Sequence, residues 1–269
     1  MKIKIAPKMS LLLCLTSALG ACVSPPPTAS EPHAGILWVR DSAEYRALAI
    51  QAYAAAAKDL QGMIDDPSWS ALPDENDATG RKPAIIFDVD ETLVSNVEFQ
   101  VALEPPFRNS KLDDWNAANE ALPVPGAPEF VQLARDSGVE VFFITNRPCE
   151  PKAGVADACP QERVTIEDLR EAGIPADAKH VMLANEQPGW TGEKKVRRDL
   201  IAQDYRIIML VGDDLGDFLD CVRARPVAPC TEGATKASRE REAGKYSTLW
   251  GNGWYMLPNP MHGSWTSAR

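Results

Sequence analysis

The sequence predicts an α/β fold, a doubly wound parallel sheet with a smaller, mainly helical cap portion. Two observations carry this. Four short apolar runs at residues 84–87, 139–144, 180–183 and 206–211 are separated by stretches of helical period at 127–136, 162–172, 193–204 and 214–223. Strands that alternate with helices pair in parallel, because each crossover returns the chain to the same end of the sheet. Acidic, hydroxyl and basic residues also cluster just past those runs, beyond the carboxyl ends of the strands, where sheets of this kind hold their sites. The composition fits: 269 residues, 45% hydrophobic and 25% charged, make one large domain or two small ones and exclude disorder and collagen-like repeats.

Taken in order, residues 1–21 read as an export signal. Lys2, Lys4 and Lys8 precede a mostly apolar run at 9–19, too short to span a membrane, which ends at the small residues Gly20 and Ala21. Residues 22–34 are a tether, kept extended by Pro25, Pro26, Pro27 and Pro32 and poor in residues that pack. The folded domain covers 35–269. Its first element is a helix at 41–64, with Asp41 as N-cap, Glu44 three residues on, and an alanine-rich amphipathic stretch that stops before Asp65, Asp66 and Pro67. The strand at 84–87 follows Pro83. Segment 95–125, with the helix at 41–64 and the tail after 230, forms the cap portion around the mouth of the site. The other strands and helices then alternate to residue 223.

Leu19, Gly20, Ala21 and Cys22 resemble the lipobox of bacterial lipoproteins, which implies cleavage before Cys22, lipidation of that cysteine and a membrane anchor outside the cytoplasm. Val23 stands where an aspartate would retain such a protein in the inner membrane of some bacteria, so the outer membrane is expected. In that oxidising space Cys149, Cys159, Cys221 and Cys230 remain, and four cysteines allow three pairings. The local one, Cys149 with Cys159 and Cys221 with Cys230, closes two short loops, each bridge stabilising by about 2–3 kcal/mol. Free thiols are the alternative. C-x-x-C spacing is absent, so a cysteine metal site lacks its ligand pairs. Twenty-eight Lys and Arg against 38 Asp and Glu give a formal charge of -10, with the positive residues scattered. A nucleic-acid polymer therefore finds no basic stripe.

The chemistry lies at the run ends. After the first run, Asp88 and Asp90 stand two apart, and the strand's period aims them to one side. One can act ionised, as nucleophile or metal ligand, while the other holds a proton to give. The second run closes with Thr145, Asn146 and Arg147, the first a hydroxyl donor for a phosphoryl oxygen or a helix N-cap. Lys194 and Lys195 then open a helix, the wrong end for positive charge, which points to an anion nearby; spacing alone does not say which lysine turns inward. After the last run Asp213 and Asp217 stand four apart, on one face at a helix start. Several acids at the tip of a buried strand call for a cation, and hard oxygen ligands favour Mg²⁺. Together these residues supply what phosphoryl transfer needs: a carboxylate nucleophile, a proton donor, groups for the equatorial oxygens and a divalent ion. G-x-x-x-x-G-K-[ST], G-x-G-x-x-G, R-H-G and C-x5-R are all absent, and His33 in the tether and His180 at a strand start are not placed for catalysis.

In these four motifs, Asp88/Asp90/Thr92, Thr145, Lys194 and Asp213/Asp217, the chain resembles the haloacid dehalogenase-like phosphohydrolases. Segments 88–96, 145–147, 211–218 and 257–265 narrow the resemblance to the class C acid phosphatases, bacterial surface lipoproteins that include 5'-nucleotidases. The resemblance implies that Asp88 attacks phosphorus and Asp90 serves as acid and then base. Thr145 and Lys194 hold the phosphoryl group, Lys194 being chosen by its K-x-x-R match with Arg197. Asp88, Asp213 and the backbone carbonyl of Asp90 bind Mg²⁺, and Asp217 orients its water shell. Asn146 contacts substrate, and Phe99 and Trp115 stack on the base of a nucleoside 5'-monophosphate; Trp254 and Tyr255 are also expected near the mouth. Asp214, Phe99 and His262 depart from the family's usual residues. The competing readings are a lipoprotein that keeps the fold and ion site only to bind a ligand or partner, and phosphotransfer to alcohols. The oligomeric state is not legible.

Overall fold

The computed structural model describes residues 33–75, 77–103 and 107–268. The export signal, Cys22 and the tether up to residue 32 lie outside the described residues. Five strands form one parallel sheet: β1 (Lys82–Phe87), β4 (Glu140–Pro148), β5 (Val181–Ala184), β6 (Tyr205–Gly212) and β7 (Trp254–Met256), in the order β5-β4-β1-β6-β7. The chain starts in the middle at β1, runs outward to β4 and β5, then crosses back to β6, so the expected double winding is present. From Ala84 to Phe87, β1 is apolar because it is covered on both faces. Ile85 and Phe87 face one core with Val141, Phe143 and Val211, while Ala84 and Ile86 face the other with Phe142, Ile207 and Leu210.

The first core is closed by α2 (Ala43–Asp65) and α5 (Ala127–Asp136), which pack on each other, with α6 (Pro160–Glu171) beside β5. α7 (Lys195–Asp204) packs on β6 and sends Ile201 into the second core. There Phe218, Tyr246 and Trp250 gather around Trp254 at centroid distances of 5.0–5.5 Å. Between β1 and α5 the chain forms a small outlying portion: a hairpin of β2 (Val94–Ser95) with β3 (Leu122–Pro123), and the helices α3 (Val97–Ala102) and α4 (Asn109–Ala117). The chain ends after α8 (Lys236–Lys245) and β7 with a tail that returns to the carboxyl end of β6, where the Leu257 N–H donates to the Gly212 carbonyl at 2.8 Å.

Several expectations need correction. The first helix is two: α1 (Ala34–Asp41) takes up the last tether residue and ends at Asp41, and the cap of α2 is Ser42, whose Oγ accepts from the Tyr45 N–H at 3.1 Å. The segment at 41–64, expected around the mouth, mostly covers a sheet face, burying Ala49, Tyr53, Ala56, Leu60 and Met63. Its C-terminal end is fastened by the buried Arg206, whose guanidinium donates to the carbonyls of Met63, Ile64, Asp66 and Trp69 at 2.8–3.1 Å. The helix expected at 214–223 is only a three-residue 3-10 turn, Leu215–Asp217. The Asp217 carboxylate folds back onto the N–H groups of Asp213 and Asp214, and the chain then turns at Cys221, which has φ 57° and is bonded to Cys230. The second bridge joins Cys149 to Cys159, so the local pairing is the one formed. Trp254 and Tyr255 belong to β7 and are buried in the two cores.

Candidate active site

The Asp88 N–H donates to the Val211 carbonyl at 2.9 Å, so the β1–β6 ladder runs on to the first acid and fixes its backbone. The chain then turns sharply. The N–H groups of Thr92, Leu93 and Val94 all converge on the Val89 carbonyl, and Glu91 takes φ 62°, a left-handed conformation rare for a residue with a side chain. Its buried carboxylate accepts from the Asn96 N–H at 3.1 Å, closing the loop from inside. On β4 the pairing with β5 slips between Ile144 and Pro148, so Thr145, Asn146 and Arg147 bulge out of register at the strand's end.

Asp88, Asp213 and Asp217 each offer an oxygen, all within 4.8 Å of one another. Thr92 Oγ1 donates to Asp213 Oδ1 at 3.0 Å, and Asn259 Nδ2 from the tail donates to Asp213 Oδ2 at 2.7 Å. Lys194 Nζ donates to Asp88 Oδ1 and lies 2.7 Å from Asp217 Oδ1. It is the lysine that turns inward; Lys195 is exposed and paired with Asp199 at 2.8 Å. Burial pushes the Asp88 carboxyl up to about 7, with Lys194 opposing and Asp217 and Asp90 adding to the rise. Burial, then Asp88 and Asp217, hold Asp213 well above its ordinary range too. Burial alone would lower Lys194, but Asp217 and Asp88 outweigh it and keep the ammonium charged. Three carboxylates crowd together beside one ammonium, which pairs with Asp88 and Asp217 but not with Asp213, in an all-oxygen donor set. That set fits a hard divalent cation.

Asp90 stands apart from this cluster in a separate clamp. Arg147 Nη2 and Nε donate to its Oδ1 at 2.7 and 3.1 Å, Nε also reaches Oδ2 at 3.0 Å, and Asn96 Nδ2 donates to Oδ1 at 2.8 Å. Thr145 Oγ1 lies 3.4 Å from Oδ2. Burial works to raise the Asp90 carboxyl, but Arg147 and Asn96 together hold it below the ordinary carboxylate range. Two acids two residues apart are thus driven in opposite directions, Asp88 up and Asp90 down.

Of the other expected residues, Trp115 reaches the site through one neighbour: its Nε1 donates to Asn96 Oδ1 at 2.9 Å. Phe99 is mostly buried, with Trp115 at 6.0 Å and Phe107 at 6.4 Å between ring centroids. Asn146 is exposed, and its Oδ1 accepts from Arg197 Nη2 at 3.2 Å. Arg197 also donates to the carbonyls of Thr145 and Thr191, tying the β4 bulge to the loop before Lys194. Sequence reasoning missed the roles of Arg147, Asn96 and Asn259. Arg147 had a signal, since an arginine beside a buried strand end needs an anion; the other two are single amides with no periodicity to betray them.

Residues 24–265 match the profile of the HAD superfamily, subfamily IIIB (acid phosphatase). The fold is similar to two structures of the class C acid phosphatase from Bacillus anthracis. The tungstate-bound structure gives a TM-score of 0.70 and the other 0.68, each at 27% identity over 87% of this chain and 86% of theirs. Acid phosphatase 1 of Solanum lycopersicum is 28% identical over 141 residues, and vegetative storage protein 1 of Arabidopsis thaliana 25% over 142. The chain spans about half the length of these curated relatives, 51% and 48%.

Proposed function

The chain belongs to subfamily IIIB of the HAD superfamily, the acid phosphatases, and from that membership we propose that it is a Mg²⁺-dependent phosphomonoesterase working through a phosphoaspartyl enzyme. One observation carries the reading: Asp88 lies within reach of Lys194, Asp213 and Asp217, while Asp90 is held separately by Arg147. Asp88, Asp213 and the Asp90 carbonyl would hold the ion, with Asp217 beside them to orient its water shell. When bound, Mg²⁺ screens the carboxylate from the substrate's phosphoryl oxygens, two anions that otherwise repel. Asp88 attacks phosphorus. Lys194 and the Thr145 hydroxyl bind the equatorial oxygens. Asp90 is ionised in the free protein; the incoming phosphate opposes that charge and favours the protonated acid that the leaving oxygen needs. After alcohol departs, the same carboxylate takes a proton from the water that frees phosphate and restores Asp88.

The substrate we propose is a nucleoside 5'-monophosphate. Trp115 is tied to Asn96, itself bonded to Asp90, so an aromatic face stands one side chain from the proton carrier, and stacking of a base there is worth about 1–3 kcal/mol. The proposal includes export and a lipid anchor at Cys22, supported by the two disulfides, which persist in oxidising compartments. Release of p-nitrophenol from its phosphate ester tests the activity. EDTA should abolish it and Mg²⁺ restore it, and Asp88→Asn should remove it; undiminished turnover in either case refutes the reading.

A further inference from the structure

Asp168 sits on α6, outside the ring of acids, and its side chain is fully buried. Its hydrogen-bonded partner is Arg147, whose Nη2 reaches Asp168 Oδ2 at 2.6 Å, and Asp168 Oδ1 is buried with no partner among the described residues. As a device for stability this is a poor one. A buried ion pair roughly breaks even against apolar side chains of the same volume, and an orphaned carboxylate oxygen makes it worse. Its geometry instead serves the neighbouring acid. Arg147 Nη2 divides between Asp168 and Asp90, and Nη1 lies 3.5 Å from Thr165 Oγ1. Asp168 and Thr165 are one helical turn apart on α6, so both anchor the far side of the guanidinium and leave its Nε edge facing Asp90.

The consequence is an asymmetry between the two oxygens of Asp90. Oδ1 accepts three donors, Arg147 Nη2, Arg147 Nε and Asn96 Nδ2, and has no capacity left for a proton. Oδ2 accepts the shared Arg147 Nε at 3.0 Å and otherwise only a long contact from Thr145 at 3.4 Å, whose hydroxyl is free to rotate away, so it is the less engaged oxygen. We infer that Asp168 is a positioning residue of the reaction: by anchoring Arg147 it saturates Oδ1 of Asp90 and makes Oδ2 the oxygen that exchanges the proton. The inference rests on the phosphatase reading above. In the first half, the bond from phosphorus to the ester oxygen breaks as the bond to Asp88 forms, and the Oδ2 proton moves to the departing oxygen. In the second, the water oxygen bonds phosphorus, its proton returns to Oδ2, and the bond to Asp88 breaks.

The test uses leaving groups, because a nitrophenolate departs without a proton and an alkoxide does not. kcat/KM is measured for p-nitrophenyl phosphate and for an alkyl ester, glycerol 2-phosphate, since it reports the step in which the leaving group departs and not the later hydrolysis. Positioned proton donors are worth about 10²–10⁴-fold. Asp168→Asn should therefore lower the alkyl-to-aryl ratio of kcat/KM by about tenfold or more. Arg147→Lys keeps the charge but cannot span both oxygens, and should lower the ratio likewise. It decides the matter if Asp168→Asn fails to fold, as judged by circular dichroism and melting. Equal losses on both esters, or an unchanged ratio in a folded variant, overturn the inference while leaving the phosphatase reading intact. A wild-type protein inert on both esters, with Asp88→Asn indistinguishable from it, instead overturns the phosphatase reading.

Discussion

Stripped of metal, the protein should become more stable as the pH falls from about 7.5 to about 5. Asp88 carries the part that can be sized. In the folded chain its carboxyl takes a proton at about 7, against an ordinary 3.8, because of burial first and the nearby Asp217 and Asp90 second, with Lys194 opposing. Between those two values the folded chain holds a proton that the unfolded chain has released. The stabilisation is thus fully present below the unfolded value and is lost as the pH rises through the folded one. The whole gap corresponds to about 4 kcal/mol, of which about 2–3 kcal/mol falls between pH 7.5 and 5, several degrees in Tm for a domain of this size. Asp213 and His262 are also raised and add with the same sign, while Asp90 and Asp214, held below the ordinary range, work the other way only at more acid pH. Saturating Mg²⁺ competes with those protons and should flatten or reverse the slope. The assay is a series of thermal melts across that range, with EDTA or with Mg²⁺. Asp88→Asn should raise the metal-free Tm near pH 7.5 and raise it clearly less near pH 5, the difference vanishing only below the unfolded value. A metal-free Tm that falls on acidification over this window, or parallel curves with and without Mg²⁺, refutes the argument.

Asp213→Asn keeps the bonds to Thr92 and Asn259 within reach but removes a charged ligand, so titration calorimetry should show Mg²⁺ binding weakened by about tenfold or more, and turnover should fall with it. Trp115→Ala should raise KM for a nucleoside monophosphate by about 5- to 100-fold and change KM for p-nitrophenyl phosphate less, since only the former carries a base to stack. Arg206→Met leaves four carbonyls at the end of α2 without their buried donor; urea denaturation should show a loss of about 2–4 kcal/mol with activity per folded molecule unchanged. Cys221→Ser should cost about 2–3 kcal/mol by opening a loop of nine residues' separation, and a reductant should have no further effect on that loop.

The sheet was legible because its strands are buried on both faces, so β1 and β6 read as uninterrupted apolar runs bounded by acids. β7 escaped notice since three residues make no pattern, and α8 because it has no buried residue and hence no periodic stripe. The false helix after β6 has a local cause. Leu215, Phe218 and Val222 repeat at helical spacing, but the Asp217 carboxylate takes the N–H groups of Asp213 and Asp214 and the bridge at Cys221 bends the chain away. The site's acids were legible as residue types at strand ends, a property of topology, while Lys194 stood at a helix start and only its K-x-x-R match with Arg197 chose it over Lys195. What surrounds Asp90 was not, because Asn96, Trp115, Arg147 and Asp168 come from four segments that only the folded chain brings together.

The tail that crosses back to β6 imposes an order on biogenesis. A chain growing from its N-terminus can lay down β1, β4, β5 and β6 long before residues 257–264 exist, yet Asp213 lacks its Asn259 donor and Asp214 its Ser264 donors until that last stretch arrives. Asp213 and Asp214 therefore gain their last donors only once residues 257–264 are in place, whereas Asp217 is held by groups laid down earlier. A molecule clipped before Asn259 keeps Thr92 on Asp213 but loses the amide on its other oxygen, so trimming this strap would reach the ring of acids without touching the sheet.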